Sequence, residues 1–151
     1  MRHRTIAGLV GSCALAACAH QQAPSAAGGM SWAFFAPGAD EGAKLAFGKP
    51  DTDDVPVMMT CRPRSGQVEV WLSGPAVGSS LTVSSGDRTA RLAARSSGEG
   101  YEGLIASMPA GDGVLTRFAQ TGRIGVSADG ARPPFPADRD RAAKFVASCR
   151  A

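Results

Sequence analysis

The sequence predicts one mainly β domain, a sandwich or half-open barrel with a short helix and a C-terminal amphipathic helix. Three observations lead there. From Ser31 onward, short apolar runs alternate with Gly, Pro, Ser and Asp at intervals of about 8–12 residues, the rhythm of an all-β chain. In two of these runs the period of two places a set of apolar residues on one face. Two later segments instead place apolar residues at helical spacing.

SWAFFA (31–36) and AKLAFG (43–48) are the first two strands. In VPVMMTC (55–61), Val55, Val57, Met59 and Cys61 share one face. In QVEVWL (67–72), Val68, Val70 and Leu72 face inward while Gln67 and Glu69 face out. The link between them carries Pro63 and Ser65-Gly66, which is turn chemistry, so 55–72 reads as a β-hairpin. Leu81 and Val83 mark a further strand, followed by TARLAAR (89–95), YEGLIASM (101–108) and RIGVSA (123–128). Ser85-Gly86-Asp87 and Asp129-Gly130 read as tight turns.

The first helix lies in DGVLTRFAQTG (112–122), with Asp112 as N-cap, Gly122 as C-cap and an apolar stripe of Val114, Leu115 and Phe118. The second lies in PADRDRAAKFVASCR (136–150). Ala142, Phe145, Val146 and Cys149 fall at i, i+3, i+4 and i+7, one apolar face. Asp138 and Asp140 sit in its first turn and Lys144 and Arg150 late, which suits the helix dipole.

The chain opens with MRHR, a positive n-region, and then TIAGLVGSCALAA, a stretch without charge that is too short to span a bilayer. This is the make-up of an export signal. Leu15-Ala16-Ala17-Cys18 resembles the lipobox of bacterial lipoproteins. The resemblance implies a signal peptide over 1–17 and a diacylglyceryl group on Cys18, the first residue of the mature chain. It also implies a localisation in the envelope, anchored by lipid, and Ala19 after the cysteine leans that localisation toward the outer membrane, facing the periplasm. Val10-Gly11-Ser12-Cys13 is a poorer version of the pattern, and an ordinary cleaved signal is the other alternative. Residues 18–30 are small, polar and Gly/Pro-bearing, a tether between membrane and a single domain over 31–151. The domain resembles small exported proteins of GC-rich proteobacteria. Its last 40 or so residues, with LTRFAQTG, a strand and a final helix ending in Cys, are distantly similar to invasion-associated locus B-like periplasmic proteins.

Of the 151 residues, 134 remain once the first 17 are removed, enough for one domain with a real core. The signal takes two of the 16 basic residues, so 14 face 13 acidic ones. That near balance argues against a nucleic-acid partner, which needs clustered positive charge. The two histidines are His3, in the signal, and His20, in the tether. The domain therefore lacks the base of a Ser-His-Asp or Cys-His mechanism and the usual ligands of catalytic zinc. Beyond Cys13 and Cys18 the cysteines are Cys61 and Cys149. In an oxidising compartment they read as one disulfide, with free thiols or a metal pair as the alternatives. Both fall on core-facing positions, one on a strand and one on the last helix, so the bridge would staple that helix to the sheet.

The remaining candidates are weaker. Asp51-Thr52-Asp53-Asp54 has oxygen donors for Ca²⁺ but no EF-hand spacing, and reads as a solvated loop. Met58-Met59 with Cys61 has soft donors, yet the two methionines point to opposite strand faces, and core packing is the better reading. Asp51, Asp53 and Asp54 with Glu99 and Glu102 could pair carboxylates for glycoside cleavage. Arg62-Pro63-Arg64, at the hairpin tip, is a basic loop able to contact an acidic partner. Trp71 sits on the opposite side of its strand from Val70 and Leu72, covering a second layer or forming part of an exposed patch. The sequence thus nominates no catalytic residue, no metal site and no cofactor. It points to a non-catalytic binding or structural role in the envelope, with the membrane and an envelope protein as partners. An inhibitor of a cell-wall hydrolase and a carboxylate-based hydrolase are the alternatives.

Overall fold

The structure, a computed structural model, describes residues 28–39, 41–62, 65–98, 102–128 and 132–150. Eight strands make one antiparallel sheet: β1 (Ser31–Phe35), β2 (Ala43–Gly48), β3 (Val57–Cys61), β4 (Gln67–Ser73), β5 (Ser80–Ser85), β6 (Arg88–Ser96), β7 (Gly103–Pro109) and β8 (Gly125–Ser127). Two helices, α1 (Gly113–Thr121) and α2 (Arg139–Arg150), complete the domain. The spatial order is β1-β2-β3-β4-β7-β6-β5-β8. The first four strands form a meander, and β4 to β7 form a Greek key.

The sheet curls into a half-barrel because β6 serves two neighbours. Its Arg88–Ala93 stretch pairs with β5 and its Ala94–Ser96 stretch pairs with β7. The half-open barrel of the sequence reading is therefore the observed form, and the sandwich is not. The β5–β6 turn is Gly86-Asp87, with Gly86 at φ 58°. The strand expected from Tyr101 begins at Gly103, and β8 keeps only three residues of the expected 123–128. The Asp129-Gly130 turn lies outside the described residues.

Inward alternation builds the core. Leu45, Val57, Met59, Val68, Val70, Leu81, Val83 and Met108 are fully buried from the sheet, and Phe118, Leu115 and Phe145 from the helices. Both helices pack on the concave side, α1 against β5 and β6 and α2 against β1 and β2. Asp112 caps α1 through its carboxylate, which accepts from Val114 N at 2.7 Å, and Gly122 ends it in the left-handed conformation. Asp138 lies one residue before α2 and caps it, accepting from Arg141 N at 3.0 Å, rather than sitting within the first turn as the sequence suggested. The gap between β8 and β1 is filled by the segment before α2. Trp32 Nε1 donates to Pro136 O at 2.7 Å, and the Trp32 ring meets Phe47, Phe118 and Phe135 at 5.3–6.0 Å between centroids. Cys61 and Cys149 are disulfide-bonded, their Cα atoms 5.6 Å apart, so the last turn of α2 is stapled to β3.

Candidate functional site

With the inner face of the sheet given to the core, the outer face carries what is left to bind. Alternation puts Ser31, Ala33 and Phe35 of β1 outward, and likewise Lys44 and Ala46 of β2, Met58 and Thr60 of β3, Glu69 and Trp71 of β4, and Ile105 and Ser107 of β7. Register then decides which of these meet. Ala33 is opposite Ala46, Ala46 opposite Met58, Met58 opposite Trp71, and Trp71 opposite Ile105. Five outward residues that are scattered in sequence thus form one apolar row across five strands. Cross-strand neighbours at this spacing are in contact range.

The next row on one side is Phe35, Lys44, Thr60, Glu69 and Ser107. Phe35 is 55% exposed, and Lys44 Nζ lies 5.9 Å from its ring centre, a cation–π contact. Glu69 pairs with Arg95 of β6 at 3.6 Å, both exposed. On the other side the β2–β3 loop rises as a wall. Its turn is held by its own hydrogen bonds: Lys49 N to Asp54 O at 2.9 Å, Thr52 Oγ1 to Lys49 O at 3.0 Å and Asp54 N to Thr52 Oγ1 at 3.2 Å. Asp51 takes φ 58°, a conformation that Asp tolerates better than most side chains.

Two glycines let the walls close on the floor. A Cβ at Gly48 would stand 2.5 Å from Asp54 O, so the loop folds down only where no side chain intervenes. A Cβ at Gly103 would stand 2.9 Å from Trp71 Nε1, so the indole leans over a bare backbone. The result is an open cleft of about 660 Å³, floored by Ala33, Ala46, Met58 and Trp71 and walled by Phe35, Lys49, Asp51, Asp53 and Glu102. It runs on through Lys44, Met58 and Trp71 into a hollow of about 460 Å³ beside Ile105. That size suits a small ligand or a short segment of polymer. Among the described residues, no three or more His, Cys, Asp or Glu side chains are grouped to hold a metal ion.

The residues singled out in the sequence are distributed as follows. Cys18 and Arg64 lie outside the described residues, as do Cys13, His20 and Glu99. Arg62 is exposed and borders a further hollow on the same sheet face with Glu41, Gly42 and Gln67, which shares Lys44, Thr60 and Glu69 with the continuation of the cleft. Asp51, Asp53 and Glu102, distant in sequence, share the rim of the cleft. Met59 and Cys61 are core, but Met58 is not: the strand turns it outward into the cleft, which corrects the expectation of core packing for both methionines. Trp71 lines the floor of the cleft. Sequence reasoning missed the cleft as a unit, although one signal was present: apolar Met58 and Trp71 stand at positions where alternation reserves the face for polar residues. No protein-family model, no curated protein and no solved structure matches this chain.

Proposed function

We propose that this chain is a lipid-anchored envelope protein with a non-catalytic binding role, and that the outer cleft is its binding face. The observation that carries this reading is the apolar row Ala33, Ala46, Met58, Trp71 and Ile105, placed on the side of the sheet that the core does not use. Water-facing strand positions in a half-covered antiparallel sheet are ordinarily polar, since nothing is gained by leaving apolar groups wet. A contiguous apolar row there gains stabilisation when a partner covers it, at about 25 cal/mol per Å² of apolar surface removed from water. The lipobox supplies the anchor and residues 18–30 the reach. An inhibitor that seats a cell-wall hydrolase on this face is one specific form of the reading.

Two results are expected. Cys18→Ser moves the protein from the membrane fraction to the soluble envelope fraction and removes the acyl mass from its N-terminal peptide; a variant that stays in the membrane fraction would remove the anchor from the proposal. A photo-crosslinking amino acid at Met58 or Ile105 captures a reproducible adduct in living cells, and the same group at Arg91, on exposed β6, captures none. Equal capture from all three positions would count against the cleft as the binding face. Reducing ends released from cell-wall material by the wild type, and abolished by Glu102→Gln, would replace this reading with the carboxylate hydrolase.

A further inference from the structure

We propose that the occupant of the cleft is an extended, basic polypeptide segment. The inference rests on the binding reading above and names its ligand class. Length is the first argument. The apolar row crosses five strands, and four inter-strand spacings make about 19 Å, the span of about six extended residues. An extended chain laid along this row presents alternate side chains to the floor and the others to the rims.

Charge is the second argument. The β2–β3 loop and the start of β7 carry Asp51, Asp53, Asp54 and Glu102 against Lys49, and of these Asp51, Asp53, Glu102 and Lys49 line the cleft together with Lys44. None of these four carboxylates forms an ion pair among the described residues. Most acidic groups elsewhere are engaged: Glu69 pairs with Arg95, Asp87 lies near Arg88 and Arg117, Asp138 pairs with Arg141, Asp140 with Lys144, and Asp112 caps α1, while Glu41 at the other end of β2 is unpaired among the described residues. The helical side of the molecule has the opposite bias: Arg117, Arg141 and Lys144 are matched by Asp87, Asp138 and Asp140, which leaves Arg123, Arg132 and Arg139 without an ion pair among the described residues. A basic segment is therefore repelled from the helices and drawn to the cleft.

The floor fits the same chemistry. Lys and Arg stems lie along apolar surface while their charged heads reach outward. Met58 and Ile105 offer apolar surface for the stems, and Asp51, Asp53 and Glu102 line the same cleft as partners for the heads. An uncharged glycan would also use an aromatic floor, but it would leave the concentration of anionic charge on one rim without a counterpart.

The test is a titration of the purified full-length chain in non-ionic detergent, followed by the NMR signals of its two indoles, Trp32 in the core and Trp71 in the cleft. The probes are the capped hexapeptides Lys-Val-Lys-Val-Lys-Val and Glu-Val-Glu-Val-Glu-Val, and chitotetraose. The basic peptide is expected to shift Trp71 saturably, with affinity falling about tenfold or more between about 50 and 500 mM salt. The acidic peptide leaves Trp71 unmoved. The variant Asp51→Asn/Asp53→Asn/Glu102→Gln should weaken the basic peptide about tenfold or more at low salt with its melting temperature unchanged, because all three side chains are on the exterior. A silent Trp71 with the basic peptide, or undiminished affinity in the triple variant, overturns the basic-segment inference. If chitotetraose alone moves Trp71, the inference falls and the binding reading stands with a glycan. If every probe is silent, the inference again falls, and the crosslinking from Met58 and Ile105 decides the binding reading separately.

Discussion

Replacing both bridge cysteines, as Cys61→Ala/Cys149→Ala, should lower the melting temperature by about 15–20 °C. The bridge joins residues 88 apart in sequence. On the chain-entropy account, closing a loop of that size restricts the unfolded chain by about 4–5 kcal/mol. For a domain of this length each kcal/mol moves the midpoint by roughly 4 °C. Total stabilities of such domains are about 5–15 kcal/mol, so the bridge holds about a quarter or more of what keeps the chain folded. Both cysteines are buried, Cys61 at 3% and Cys149 at 1% exposure, so the alanines also leave small gaps in the core that add to the loss. The effect is expected mainly in the unfolded state, and the urea m-value should rise because the open chain exposes more surface. The bridge also bears on the cleft. β3 carries Cys61 on its inner face and Met58 and Thr60 on its outer face, so the staple steadies the strand at the middle of the binding surface. Thermal melts by circular dichroism decide the matter. A double variant within about 5 °C of wild type would mean that Ala142, Phe145 and Val146, with the Arg150 hydrogen bonds to Ala110 and Thr116, hold α2 unaided.

That bridge shows which part of the architecture local pattern can disclose. Cys61 lies on the period-two inner face of one segment and Cys149 on the helical stripe of another, and two independent periodicities sufficed to direct both sulfurs inward. The caps of α1 were equally legible, because Asp112 and Gly122 act within a turn of themselves. The choice between sandwich and half-barrel was not. It depends on β4 lying beside β7, on β8 adding to β5 and on β6 dividing its length between two neighbours, and none of these pairings leaves a local trace. The cleft was hidden for the same reason. Alternation says that Met58 and Trp71 face away from the core; only register says that they face each other, with Ala46 and Ile105 on either side. Likewise Asp51, Asp53 and Glu102 could be named as carboxylates, but their common rim follows from the β2–β3 loop folding over Gly48 toward the start of β7.

Gly122→Val should be strongly destabilising, with a loss of about 3 kcal/mol or more and a midpoint roughly 10 °C lower. Two separate requirements meet at this residue. Its φ is 69°, the left-handed conformation that ends α1, and its N–H donates to Phe118 O at 2.7 Å. A side chain with a branched Cβ is strained there by about 1–2 kcal/mol. The second requirement is space. A Cβ at Gly122 would stand 2.3 Å from Arg139 N and 2.5 Å from the Asp138 carbonyl carbon, which are backbone atoms at the start of α2. Those atoms cannot rotate aside, so α2 itself must shift, and with it the Asp138 N–H that donates to Gly122 O at 3.1 Å. Phe118, Phe145 and Cys149 lie on the two helices that this junction sets side by side, so the displacement spreads into the core. Asn separates the two requirements, because it accepts positive φ far better than Val yet carries the same Cβ. Gly122→Asn should therefore recover only about 1 kcal/mol of the loss. If Gly122→Asn instead melts like the wild type, backbone conformation alone demands glycine here, and the close approach of the two helices at this residue is not a constraint on the fold.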